Sequence, residues 1–133
     1  MKAKLDSQSR QDLVKYRIEK SDQAFQEAHL MASNNYFESA VSRLYYACFY
    51  AACALLIKHE IETDTHRAVK TMLSLKFVKT GLLDQKHIKT YSDLLNGRQL
   101  SDYEDFYYQD KESYDNYKDK ALEFTEAVKK LIT

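Results

Sequence analysis

An arginine, an aspartate and a tyrosine fall within "RQLSDY" (98–103). A second arginine, Arg43, heads "SRLYYACFYAACALLIKH" (42–59), where no side chain is charged from Leu44 to Ile57. A guanidinium is a planar fork of donors, so if Arg43 and Arg98 converge across the fold they make a site for an anion. The same residues also admit a purely structural reading. Arg98 and Asp102 are four apart, the spacing of a helical ion pair worth a few tenths of a kcal/mol. Arg43 can hold two helices in register by reaching an interhelical carboxylate such as Asp102. Tyr103, with an ordinary pKa near 10, accepts a proton at neutral pH only where its surroundings shift it strongly. Tyr45, Tyr46 and Tyr50 offer faces on which bases stack, or else fill the core with their hydroxyls turned to polar neighbours.

The remaining reactive side chains are arranged differently. His29, His59, His66 and His87 show no His-x-x-x-His spacing, and Cys48 and Cys53 form no Cys-x-x-Cys pair, so neither a metal nor another cofactor is expected. The two cysteines, five apart, point to different sides of a helix and read as buried, reduced thiols. No phosphate-cradling glycine loop, nucleophile elbow or suggestively paired carboxylates occur. His66, in "TDTHRA", stands where a third helix should begin and reads as a cap-region residue.

The elements that must position these groups follow from periodicity. The chain has 133 residues, 44% of them hydrophobic and 30% charged, with no proline and two glycines. That balance fits a single all-α domain over residues 1–133. Val14, Ile18, Ser21, Phe25, Ala28 and Ala32 draw one stripe on a first helix ending near "SNN" (33–35). Phe37, Val41, Leu44, Cys48, Ala51 and Leu55 repeat the spacing in a second helix with apolar flanks, which should be the central element. Its small Ala40, Ala47, Ala51 and Ala54 would let neighbours approach closely. Asp64 or Thr65 is an N-cap for a third helix that stops at Gly81 in the left-handed conformation, with Val69, Met72, Leu73 and Phe77 inside. A fourth helix starts within "LLDQKH", with Ile88, Tyr91, Leu94 or Leu95, and Arg98 inward, and should kink or end at Asn96-Gly97. A fifth starts near Asp110 and faces inward through Tyr114, Tyr117, Ala121, Phe124, Val128 and Leu131. The expected architecture is an up-and-down bundle of about five helices.

Net charge is zero, so binding to nucleic acid or membrane would need a local patch. Residues 1–20 lean basic, whereas 102–119 hold seven acids among the tyrosines. That acidic run repels phosphate and suits a protein partner with a basic face. The 14-residue uncharged run is shorter than the roughly 20 residues of a membrane span, and a soluble cytoplasmic protein with no membrane partner is expected.

The succession "YFESAVSRLYYACFYAACALL", "THRAVKTML", "FVKTGLLD" and "LLNGRQLSDYEDFYY" resembles the HEPN domain, particularly its small stand-alone prokaryotic branch. The resemblance runs from about Tyr16 to the last helix. It implies a symmetric homodimer with a polar cleft where the copies meet, and a minimal nucleotidyltransferase partner in a toxin-antitoxin pair. Many family members are metal-independent ribonucleases whose motif is an arginine followed four to six residues later by histidine. Here Arg98 matches that arginine, but Gln99 to Glu104 contain no histidine and Tyr103 stands in its place. The resemblance also maps Arg43, Asp102, Tyr46 and His66 to the cleft, and makes Tyr103 or Tyr107 an eligible acceptor for nucleotidyl transfer. Two functions follow. One is an RNA- or nucleotide-binding or interaction subunit whose own catalysis is weak or lost. The other is an active metal-independent endoribonuclease in which Arg98 stabilises phosphate while Tyr103 or His66 moves the proton.

Overall fold

The computed structural model describes the backbone of residues 5–103 and 108–133, and the side chains of that range except those of 99–103. Five helices form: α1 (Ser7–Ser33), α2 (Phe37–Lys58), α3 (His66–Leu73), α4 (Gln85–Tyr103) and α5 (Lys111–Ile132). There is no strand among the described residues. Three helices start on the side-chain caps that orphan N–H groups demand. Asp6 accepts from Ser9 N at 2.7 Å, Thr65 from Ala68 N at 2.9 Å, and Asp110 from Ser113 N at 2.8 Å. After α3 the chain continues through a π turn, Ser74–Val78, and leaves at Gly81, whose φ of +81° is the left-handed conformation its sequence position called for.

Cross-helix partners set the directions. Arg10 pairs with Glu60 and Arg43 with Glu27, while the buried Ser21 hydroxyl donates to the Ala47 carbonyl at 2.8 Å, so α1 and α2 run antiparallel. Phe37 meets Tyr114, Cys48 meets Ala121, and Lys58 donates to the Ile132 carbonyl, so α2 and α5 run parallel. Tyr91 and His87 pack on Phe124 and Gly97 lies against Gln109, which makes α4 antiparallel to α5. The four long helices thus alternate up and down, with α3 as a short fifth.

Helix α2 is the central element, touching α1, α3, α4 and α5, and eleven of its 22 residues are buried. Ala40, Ala47, Ala51 and Ala54 are all fully buried, as close helix approach requires. By length and composition α2 could cross a membrane, although its uncharged run is short. In the fold, 61% of its most apolar 18-residue window is buried inside the bundle, as in a core helix. Cys48 faces α5 and Cys53 faces α1 near Arg17; both are free thiols, and burial pushes the Cys53 thiol up to about 11.

One expectation needs correction. Helix α4 neither ends nor breaks at Asn96-Gly97 but continues to Tyr103. Gly97 packs against Gln109, and an added Cβ would lie 3.1 Å from its Nε2, tighter than an ordinary contact. The helix continues through the glycine in spite of its poor helix propensity.

Candidate functional site

The site is assembled where α2, α3 and α4 meet. From α2, Tyr45 and Phe49 are four apart and Tyr46 adjoins them. From α4, Tyr91 and Arg98 are seven apart, two helical turns, and so share a face. His66 arrives by a longer route. After α2 ends at Lys58, residues 59–65 lead back along it to the Thr65 cap. The ten residues from Phe49 to His59 rise about 15 Å as helix, and seven in extended form reach about 23 Å. The first residue of α3 therefore meets the middle of α2, with the His66 ring stacked on Phe49 at 4.2 Å between centroids.

Three hydrogen bonds close a ring around this histidine. Tyr45 Oη lies 2.5 Å from His66 Nδ1 and 3.0 Å from Tyr91 Oη, and the Tyr91 hydroxyl donates to the His66 carbonyl at 3.2 Å. Each hydroxyl has one proton. With the Tyr91 proton on the His66 carbonyl, Tyr91 Oη must accept from Tyr45, and Tyr45 Oη must then accept from His66 Nδ1–H. Only that assignment gives every bond its own proton. It leaves the Nε2 lone pair of neutral His66 available as a base, and Nε2 has no hydrogen-bond partner among the described residues. Burial, then the charge of Arg98, lowers the His66 pKa from 6.5 and favours that neutral form. Burial pushes both the Tyr45 and Tyr91 hydroxyls well above the usual tyrosine range, so they remain protonated links.

Beside this ring stand both arginines. The Arg43 guanidinium carbon is 4.6 Å from the Tyr46 ring centroid and that of Arg98 is 5.3 Å from it and 5.9 Å from Tyr45. The structure thus gathers Arg43, Tyr46, His66 and Arg98 from three helices. Among the described side chains the carboxylate beside Arg43 is Glu27 on α1, at 3.6 Å. That interhelical pair is one reason an apolar helix is headed by a guanidinium. The side chains of Asp102 and Tyr103, and all of Tyr107, lie outside the described residues. Among the described residues no group of three or more His, Cys, Asp and Glu side chains is placed to hold a metal. Tyr91, Phe49 and Glu27 were not singled out as site residues from sequence. The seven-residue interval to Arg98 is the signal that would have found Tyr91.

The histidines carry a pH prediction. His66 and the 6%-exposed His87 both have pKa values lowered chiefly by burial, so the unfolded chain binds more protons than the fold near pH 6. Stability is then complete above the unfolded value of 6.5 and declines as pH falls below it. The Asp6 and Asp110 caps, with pKa values lowered from 3.8 by their hydrogen bonds, act only in stronger acid. Urea midpoints should fall from about pH 8 to about pH 5, and His87→Gln should fall less over the same interval. An unchanged midpoint in the wild type would refute the neutral burial of these rings.

Comparison with known proteins identifies relatives of the chain. A family model described as HEPN domain matches residues 14–131. A "UPF0332 protein" from Thermotoga maritima is 29% identical over 123 residues, covering 92% of this chain and 93% of that protein. Two proteins of Methanocaldococcus jannaschii named "Putative toxin" are also similar. One is 33% identical over 87 residues, covering 65% of this chain and 59% of that protein. The other is 30% identical over 103 residues, covering 77% and 76%. The family match contains α2, α3 and α4 whole, with most of α1 and α5, and the chain belongs to the HEPN domain family.

Proposed function

We propose that this protein is a cytoplasmic RNA- or nucleotide-binding component of a toxin-antitoxin-like pair, acting as a homodimer beside a minimal nucleotidyltransferase. Membership of the HEPN family and the names of the two M. jannaschii relatives support the toxin-related class. The observation that carries the binding reading is the placing of Arg43 and Arg98 against one ring, Tyr46, which holds the two cations within about 10 Å of each other. A phosphate between them would accept forked hydrogen bonds from the two guanidinium groups. The half-buried row of Tyr46, Phe49 and Tyr50 beside Arg43 supports pairing of two copies across this face.

A second reading, metal-independent cleavage of RNA, is favoured by His66. Its free Nε2 can take the 2′-hydroxyl proton while Arg98 steadies the phosphate, a role the Arg-x4-6-His pattern would give to a histidine on α4.

One experiment separates the two. Purified wild type, Arg98→Ala, His66→Gln and Tyr103→Phe are incubated in EDTA with labelled tRNA and mRNA, and binding and cleavage are read side by side. Binding by wild type without cleavage, weakened about tenfold or more in Arg98→Ala, is the expected result. Cleavage that disappears in both Arg98→Ala and His66→Gln establishes the ribonuclease instead. Neither binding nor cleavage by wild type overturns both.

A further inference from the structure

Outside the Arg43–Arg98 site, the clearest unassigned feature is a groove between α3 and α4. It has a volume of about 590 Å³ and is lined by Arg67, Lys70, Thr71, Ser74, Leu75, Lys79, Ser92, Leu95 and Asn96. Three of these side chains are cationic, none is acidic, and Arg67, Lys70 and Lys79 make no ion pair among the described residues. In a protein of zero net charge this is a local concentration of one sign. Its geometry depends on the π turn. The i to i+5 bond from Lys79 N to Ser74 O, 3.0 Å long, stacks Lys79 under Ser74 so that both line the groove. The groove flanks the site already described. Both are built on α3 and α4: Lys70 of the groove stands four residues after His66 on α3, and Leu95 of the groove stands three residues before Arg98 on α4, spacings that make neighbours on a helix surface.

We propose that this groove seats the phosphodiester backbone of a single-stranded RNA whose neighbouring nucleotide occupies the Arg43–Arg98 site. The inference rests on the RNA-binding reading above. The three cations answer phosphate charge, and the Ser74 and Ser92 hydroxyls and the Asn96 amide add neutral donors suited to phosphate oxygens or ribose hydroxyls. Leu75 and Leu95 are the apolar side chains of the lining, and the charged ones are all cationic. An acidic protein segment is the competing occupant.

The test is fluorescence anisotropy with a labelled oligouridine at several salt concentrations. It compares wild type with the triple variant Arg67→Gln/Lys70→Gln/Lys79→Gln, a charge-matched triple on α5 (Lys118→Gln/Lys120→Gln/Lys130→Gln), single Lys79→Gln, and Arg98→Ala. Lys79 is exposed, so the single variant keeps the test intact should the triple fold poorly. The groove triple should lose about tenfold or more in affinity at low salt, and its log K against log salt should flatten by about 0.7 for each phosphate contact removed. Lys79→Gln should show the smaller change in the same direction, and the α5 triple should track the wild type. RNA binding lost in Arg98→Ala yet unmoved in both groove variants would overturn the groove while leaving the binding site intact. Equal losses in the groove and α5 triples would reduce the effect to net charge and overturn it too. No RNA binding by wild type would overturn both readings. Capture of polyglutamate by wild type, lost in the groove triple, would then assign the groove to an acidic protein.

Discussion

Phe124→Ala should lower the stability of the fold by about 3–5 kcal/mol, the cost of emptying a large aromatic site that its surroundings cannot close. Phe124 is fully buried on α5, with its ring 6.0 Å from Tyr91 and 6.1 Å from His87. It therefore fills the junction between α4 and α5 and supports the back of the tyrosine that holds His66. Domains of this kind are stable by only about 5–15 kcal/mol, so the loss is a large fraction of the total. Leu122, two residues away and 42% exposed, is the internal comparison, and Leu122→Ala should stay within about 0.5 kcal/mol. Urea unfolding of the two variants beside wild type checks the difference. A loss below about 1 kcal/mol for Phe124→Ala would show that this junction is not packed as described.

Ala47→Leu should cost about 1–3 kcal/mol by overfilling a site rather than emptying one. The seam between α1 and α2 is built from Ala24 and Ala28 facing a helix in which Ala40, Ala47, Ala51 and Ala54 are all fully buried. At its middle the Ser21 hydroxyl reaches the Ala47 carbonyl at 2.8 Å, a bond that requires the backbones to lie close. Three added carbons at position 47 must push α1 away or be forced into a strained rotamer, and either course strains the buried hydroxyl bond. Thermal unfolding should show a clear drop in midpoint. A variant as stable as wild type would mean that the seam has room it is not described as having.

Local rules made most of the architecture legible from sequence. Alternating three- and four-residue spacings located the inward faces, an uncharged run marked the central helix, and Thr65, Asp110 and Gly81 punctuated the chain where capping chemistry requires. What was not legible depends on contacts between distant residues. Asn96-Gly97 reads as a break because propensity knows nothing of tertiary neighbours such as Gln109, which lies against Gly97. Arg43 has Glu27 beside it because antiparallel packing puts the start of α2 against the last third of α1. His66 reads as a cap-region residue, and it is the first residue of α3, next to the Thr65 cap. The path of residues 59–65 back along α2 also carries it to Tyr45, and no spacing in the sequence encodes that path.

The pairing of α5 with α2 has a consequence for the order in which the fold can be made. Helices α1 and α2 meet across a turn of three residues, so their hairpin closes with little loss of chain entropy soon after both are synthesised. The Cys48–Ala121 contact instead joins residues 73 apart, and α5 leaves the ribosome after the other four helices. Until it docks, the strip of α2 that includes Val41, Leu44, Cys48 and Leu55 cannot be fully covered, and the nascent chain is at its stickiest just before α5 emerges.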